Sequence, residues 1–145
     1  MVKPVVSHQG IVLGFDFGMK RIGVAVGQTT TCTANPLPIL PAKQGIPDWQ
    51  QVTKLLKEWQ PVALIVGLPL NMDGTKQVIT AAALGFANAL KQQASLPVYT
   101  VDERLTTVAA RAQLFEKGGY RHLQQNPVDS VAAQIILSDW LKNYN

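Results

Sequence analysis

The stretch VLGFDFGMKRIGVAVG, residues 12–27, decides how the chain is read. Residues 11–17 and 21–28 are rich in Ile, Val and Phe, and Gly18 and Gly23 punctuate them. That pattern predicts two strands joined by a tight connection, a β-hairpin. One carboxylate, Asp16, sits in the first run just before the turn. A strand built for a dry interior needs a reason to hold a charge there, because an uncompensated buried carboxylate is costly.

Outward from the hairpin, residues 31–39 predict a weaker third strand, which Pro36, Pro38 and Pro41 limit to a sheet edge. From Pro47 the period changes. Trp49, Val52, Leu55, Leu56 and Trp59 fall at helical spacing and Pro61 stops the run. VALIVG is a continuous apolar strand suited to the middle of a sheet covered on both faces. After the loop GLPLNMDG, residues 75–93 predict a helix with Thr75 as N-cap, and LPVYTVDE predicts the next strand. Residues 106–117 read as a helix ended by Gly118 and Gly119. A last helix follows in NPVDSVAAQIILSDWLKNY, with Asp129 in its first turn. The order β-β-β-α-β-α-β-α-α predicts an α/β fold: a mixed five-stranded sheet with helices on both faces.

The chain has 145 residues, the size of one ordinary domain, and neither linker nor repeat is visible in it. Residues 1–10 read as an N-terminal tail ahead of a single domain spanning 1–145. Thirteen Lys and Arg against nine Asp and Glu give a net charge of +4, which favours a polyanionic partner without requiring one. Lone Cys32 fits a reducing compartment, and no run approaches signal-peptide or membrane-spanning length, so a cytoplasmic protein with no membrane partner is expected. Neither His8 nor His122 has the spaced partners of a zinc site. Trp49, Trp59 and Trp140 fall on apolar helix faces and read as core.

Three carboxylates remain, each at the end of an element: Asp16 near the end of the first strand, Glu103 at the end of the last, Asp129 opening the final helix. In such sheets ligands gather at the carboxyl ends of the parallel strands. Singly, each has a plain explanation. Asp16 can bond the turn or pair with Lys20 or Arg21; Asp102 and Glu103 can pair with Arg104; Asp129 can serve the helix dipole, worth about 0.3–1 kcal/mol. Together they make a different case. Three converging carboxylates repel one another, and a divalent cation such as Mg²⁺, which takes oxygen ligands and leaves room for phosphate, resolves the repulsion. Two such ions about 4 Å apart suit in-line phosphodiester displacement.

GFDFGMKRIGVAVGQ, VGLPLNMDGT, VDERLTT and VDSVAAQIIL, in that order along nearly the whole chain, resemble the YqgF/RuvX family, whose members are described as pre-16S rRNA nucleases and as Holliday junction resolvases. The resemblance implies a ribonuclease H-like fold and a metal-dependent nuclease, using Mg²⁺ or Mn²⁺, that trims the 5′ side of the small-subunit rRNA precursor in the cytoplasm. It implies Asp16, Glu103 and Asp129 as catalytic metal ligands. Where some relatives of the wider superfamily carry a fourth carboxylate, this chain has Asn126. Lys20, Arg21 and Arg104 are expected at nucleic-acid phosphates and Asn71 in the cleft; Gly18 and Gly23 serve close backbone approach or simply the hairpin. DFGMKRIG also resembles the phosphate turn of sugar kinases, actin and Hsp70, but those need two lobes. A protein-kinase reading of DFG lacks its glycine-rich and H-R-D loops. The expected partner is structured or single-stranded precursor rRNA. The alternatives are branched DNA, for which a resolvase should be a homodimer rather than a monomer, and a binding module with little turnover.

Overall fold

The computed structural model describes residues 10–69, 78–102 and 128–144. Strands β1 (Ile11–Asp16) and β2 (Arg21–Gln28) form the expected antiparallel hairpin, and β3 (Thr33–Lys43) pairs antiparallel to β2. The two-residue β4 (Ile46–Pro47) and helix α1 (Trp49–Trp59) follow. Next come β5 (Ala63–Leu68), α2 (Val78–Ala94), β6 (Val98–Asp102) and α3 (Val128–Tyr144). The sheet order is β4-β3-β2-β1-β5-β6, with β1, β5 and β6 mutually parallel.

The five-stranded expectation is corrected to six strands among the described residues. The extra strand comes from a hairpin whose central residues, Gln44 (φ 51°) and Gly45 (φ 80°), both occupy the left-handed region. Two-residue hairpin turns require that conformation, and it lets Ile46 and Pro47 fold back onto Lys43 and Ala42. Strand β3 also runs longer than residues 31–39. Among the described residues its outer side is paired only at Ala42 and Lys43, so Pro36, Pro38 and Pro41 are tolerated there as on an edge. A register shift between Ile22 and Val24 absorbs the irregularity. Gly10, expected in a tail, is tied to the sheet: its N–H donates to Thr29 Oγ1 at 2.8 Å, and the Thr29 N–H donates back to its carbonyl.

Side chains alternate across each strand and sort into two cores. On one face Leu13, Phe15, Val24, Leu64 and Val66 pack under α1 and α2, with Val52, Ala83, Phe86 and Leu90. Asp48 caps α1 by accepting from the Gln50 N–H, and Gln60 ends it in left-handed conformation. On the other face Val12, Ala25, Ala63 and Ile65 pack against Ala133, Ile136, Leu137, Trp140 and Leu141 of α3. The helices thus cover both faces, as expected. The helix predicted over 106–117 and the Thr75 cap lie outside the described residues.

Helix α3 lies close to the sheet because two strand positions have no side chain. A Cβ on Gly14 would sit 3.0 Å from Leu137 Cβ, and one on Gly27 would sit 2.9 Å from both Leu141 Cδ1 and the Thr33 carbonyl oxygen. By contrast, a Cβ on Gly85 of α2 would meet nothing within 4 Å. Substitutions at the two positions should therefore differ in sign. Gly27→Ala is expected to destabilise the fold by about 1–3 kcal/mol through overpacking. Gly85→Ala should stabilise it by about 0.5–1 kcal/mol by removing a mid-helix glycine. Urea unfolding of the two variants checks both.

Candidate functional site

Asp16 is the last residue of β1 and is half-buried. Its two chain neighbours decide which way it points. Phe15 (0% exposed) and Phe17 (4%) both enter the core beneath α1 and α2, where Phe86 meets their rings at 5.7 and 5.5 Å and Trp49 stacks on Phe86 at 6.0 Å. With odd residues committed to that face, Asp16 falls on the other, the face of α3, in line with Val12 and Gly14.

Its register partners are both glycines. Asp16 pairs with Gly23 of β2 and Gly67 of β5, so neither adjacent strand sets a Cβ directly opposite it. Gly23 was legible as a glycine of the hairpin, but its place opposite Asp16 was not. Nothing in the sequence singles out Gly67, because VALIVG reads as an ordinary buried strand. The signal, in retrospect, is a glycine ending such a strand at the level of a carboxylate.

Asp129 lies in the first turn of α3, and its position follows from the helix packing. Leu141 and Leu137 lie against Gly27, level with Val12; Leu137 and the Ala133 carbonyl lie against Gly14. The helix therefore runs antiparallel to β1, with its start toward the carboxyl end of the strand. From Ala133 back to Asp129 the helix rises about 6 Å, and from Gly14 to Asp16 the strand advances about 6.6 Å. The Asp129 backbone is accordingly about level with Asp16. One strand and one helix, 113 positions apart in the sequence, deliver these two residues to the same end and the same face.

Strand β6 is level with them on the far side of β5: Val101 pairs with Gly67 and Asp102 with Leu68. Tyr99 and Val101 pack on the α3 side, and Tyr99 lies 5.6 Å from the Trp140 ring. Asp102, next in alternation, belongs to the opposite face and is thereby separated from Asp16. Glu103, Arg104, Asn71 and Asn126 lie outside the described residues. Among the described residues no three metal-ligating side chains come together.

Lys20 and Arg21 are exposed at the turn after β1 and at the start of β2. That turn is tight. A Cβ on Gly18 would press into the carbonyl oxygen of Arg21. Two bonds from the β3–β4 hairpin secure it: the Ala42 N–H donates to the Lys20 carbonyl at 2.9 Å and the Gly45 N–H to that of Met19 at 2.8 Å. Cys32 is half-buried, its thiol directed at the Thr29 and Leu141 carbonyls.

The RuvX family model, described as Holliday junction resolvase, matches residues 10–143. A protein of Legionella pneumophila (strain Lens) named "Putative pre-16S rRNA nuclease" is 56% identical over 134 residues, 92% of this chain and 96% of that one. One of the same name from Klebsiella pneumoniae (strain 342) is 58% identical over 133 residues, again 92% and 96%. Among solved structures, T. thermophilus RuvC in complex with Holliday junction substrate is similar at a TM-score of 0.58 and 19% identity, covering 91% of this chain and 93% of that one. The fowlpox virus Holliday junction resolvase is similar at 0.51 and 16%, covering 91% and 97%. These likenesses confirm the resolvase-like, ribonuclease H type of fold.

The turn supplies a direct check on this geometry. Gly18→Ala must move backbone rather than a flexible side-chain tip, so a loss of about 1–3 kcal/mol is expected. Urea unfolding measures it.

Proposed function

The chain belongs to the RuvX family, and from that membership we propose that it is a metal-dependent nuclease hydrolysing phosphodiester bonds of the 16S rRNA precursor in the bacterial cytoplasm. The observation that carries the reading is the meeting of Asp16 with the start of α3 at one end of one face of the sheet. A carboxylate at the end of a rigid strand, with glycine as its register partner on both adjacent strands, suits a hard cation that keeps waters and phosphate oxygens in its shell.

Asp16, Glu103 and Asp129 are the ligands in this reading, and Mg²⁺ or Mn²⁺, as a pair of ions, is the cofactor. The alternation of β6, with Tyr99 and Val101 on the Asp16 side, supports Glu103 in that role. A bound divalent cation polarises the scissile phosphate and makes water a better nucleophile. The chain's own part is positional. Phe15 and Phe17 hold Asp16 toward the cleft, α3 brings Asp129 level with it, and Lys20, Arg21 and Arg104 hold phosphates while Asn71 lines the approach.

The family model's description favours a second reading, resolution of four-way DNA, which calls for a dimer with paired sites. Cleavage of precursor rRNA and of junction DNA, each with Mn²⁺ and each compared with Asp16→Asn, tests both. Mn²⁺-dependent cut products on the rRNA, lost in Asp16→Asn with binding retained, are expected. Cutting confined to the junction selects the second reading, and binding without cutting of either defeats the nuclease.

Metal binding has a readout that needs no substrate. An ion held only by the folded chain stabilises it by about 2.7 kcal/mol at a hundred times its Kd. Millimolar Mn²⁺ is expected to raise the melting temperature of the unsubstituted chain and to leave that of Asp16→Asn unchanged. Differential scanning calorimetry decides it.

A further inference from the structure

Two polar side chains are buried among the described residues, Thr29 and Thr80. Thr29 ties Gly10 to the sheet at the end of β1 away from Asp16. Thr80, 0% exposed, stands in the first turn of α2 and leads the buried stripe Thr80, Ala83, Ala87 and Leu90, whose other members are apolar. An apolar residue of that size would fill the place without the cost of desolvating a hydroxyl, so packing alone does not call for threonine.

The hydroxyl has a specific acceptor. Thr80 Oγ1 donates to the Pro69 carbonyl, 11 positions back in the chain. Pro69 follows directly on β5, beyond that strand's last pairing, Leu68 with Asp102. Gly67, two residues before it, pairs with Asp16. At ordinary strand spacing Pro69 is about 7 Å past the level of Asp16 and one strand across, on the order of 8 Å from it. One hydrogen bond therefore joins the point where the chain leaves the Asp16 end of the sheet to the first turn of the helix that follows. Residues 70–77 run between those two points, and Asn71 comes only two residues after the fixed carbonyl. Two residues reach at most about 7 Å, so where Pro69 is held limits where Asn71 can act.

We propose that Thr80 is a positioning residue for the nucleic acid: by holding the Pro69 carbonyl it sets the exit of the chain from β5, and through it Asn71, against substrate lying at Asp16. Buried as it is, Thr80 acts only through Pro69. The proposal rests on the nucleic-acid reading of the Asp16 end and adds to it a buried group which that reading does not use.

The test is a double-mutant cycle on RNA affinity, measured without divalent ions by the anisotropy of a fluorescein-labelled RNA spanning the 5′ boundary of 16S rRNA in its precursor. Thr80→Val removes the donor and keeps the shape. It is expected to weaken binding about three- to tenfold, the span of one net hydrogen bond. Thr80→Ser, which keeps the donor, should stay within about twofold of the unsubstituted chain. In an Asn71→Ala background Thr80→Val should cost nothing further, because the residue it positions is gone. Urea unfolding of the same variants separates positioning from stability. A lowered unfolding midpoint in Thr80→Val with unchanged affinity makes the hydroxyl purely structural and overturns the proposal. Losses that add across Thr80 and Asn71, no rescue by Thr80→Ser, or an unsubstituted chain that does not bind the RNA overturn it as well. Should Thr80→Val fail to fold, Thr80→Ala takes its place in the cycle. Mn²⁺-dependent cleavage of the same RNA is scored separately. Coupling between the two positions without cleavage by the unsubstituted chain removes the nuclease and keeps the positioning role, whereas cleavage without coupling removes the role and keeps the nuclease.

Discussion

The burial of Phe15 and Phe17 on one side of the sheet fixes the side on which Asp16 stands. Both rings meet Phe86, and each aromatic contact of this kind adds about 0.5–1.5 kcal/mol to the area buried. A one-residue slip of β1 would expel both rings and bury the carboxylate in their place, so hydrophobic burial itself holds the charge in register. The polar end of the sheet is thus positioned by apolar contacts on its far side.

The second determinant is the distance from α3 to the sheet. Gly14 and Gly27 let Leu137 and Leu141 seat directly on strand backbone, and the helix so placed has its first turn level with Asp16. The packing that stabilises the second core is the same packing that aligns Asp129. Stability and site geometry are coupled here, and a side chain at Gly27 would disturb both through one displacement.

Much of this was legible in the sequence because the signals were local. The β1–β2 hairpin, α1 between Pro47 and Pro61, and β5 as a continuous apolar run rest on composition and period, and the structure has them within a residue or two. What was not legible depends on pairing. Ile46 and Pro47 carry no strand signal of their own; they become a strand because Gln44 and Gly45 turn them back onto Ala42 and Lys43. Gly67 acquires meaning only through its register with Asp16, and the face of Asp102 is read only from the packing of Tyr99 and Val101 against α3. Asp16 and Asp129 stand out in the sequence as charged residues at the ends of apolar elements; that their backbones come about level in the fold does not.

The prolines of β3 carry a consequence for the protein in a crowded solution. A sheet edge with free N–H and C=O groups is a template on which further chains can add as strands. Pro36, Pro38 and Pro41 contribute no N–H, and among the described residues the outer side of β3 is paired only at its last two residues. A would-be added strand finds gaps in the donor row where it would need bonds, so this margin resists growth into fibrils or aggregates even where it is bare. Replacing those prolines with β-formers would complete the template and trade that resistance for a stickier molecule.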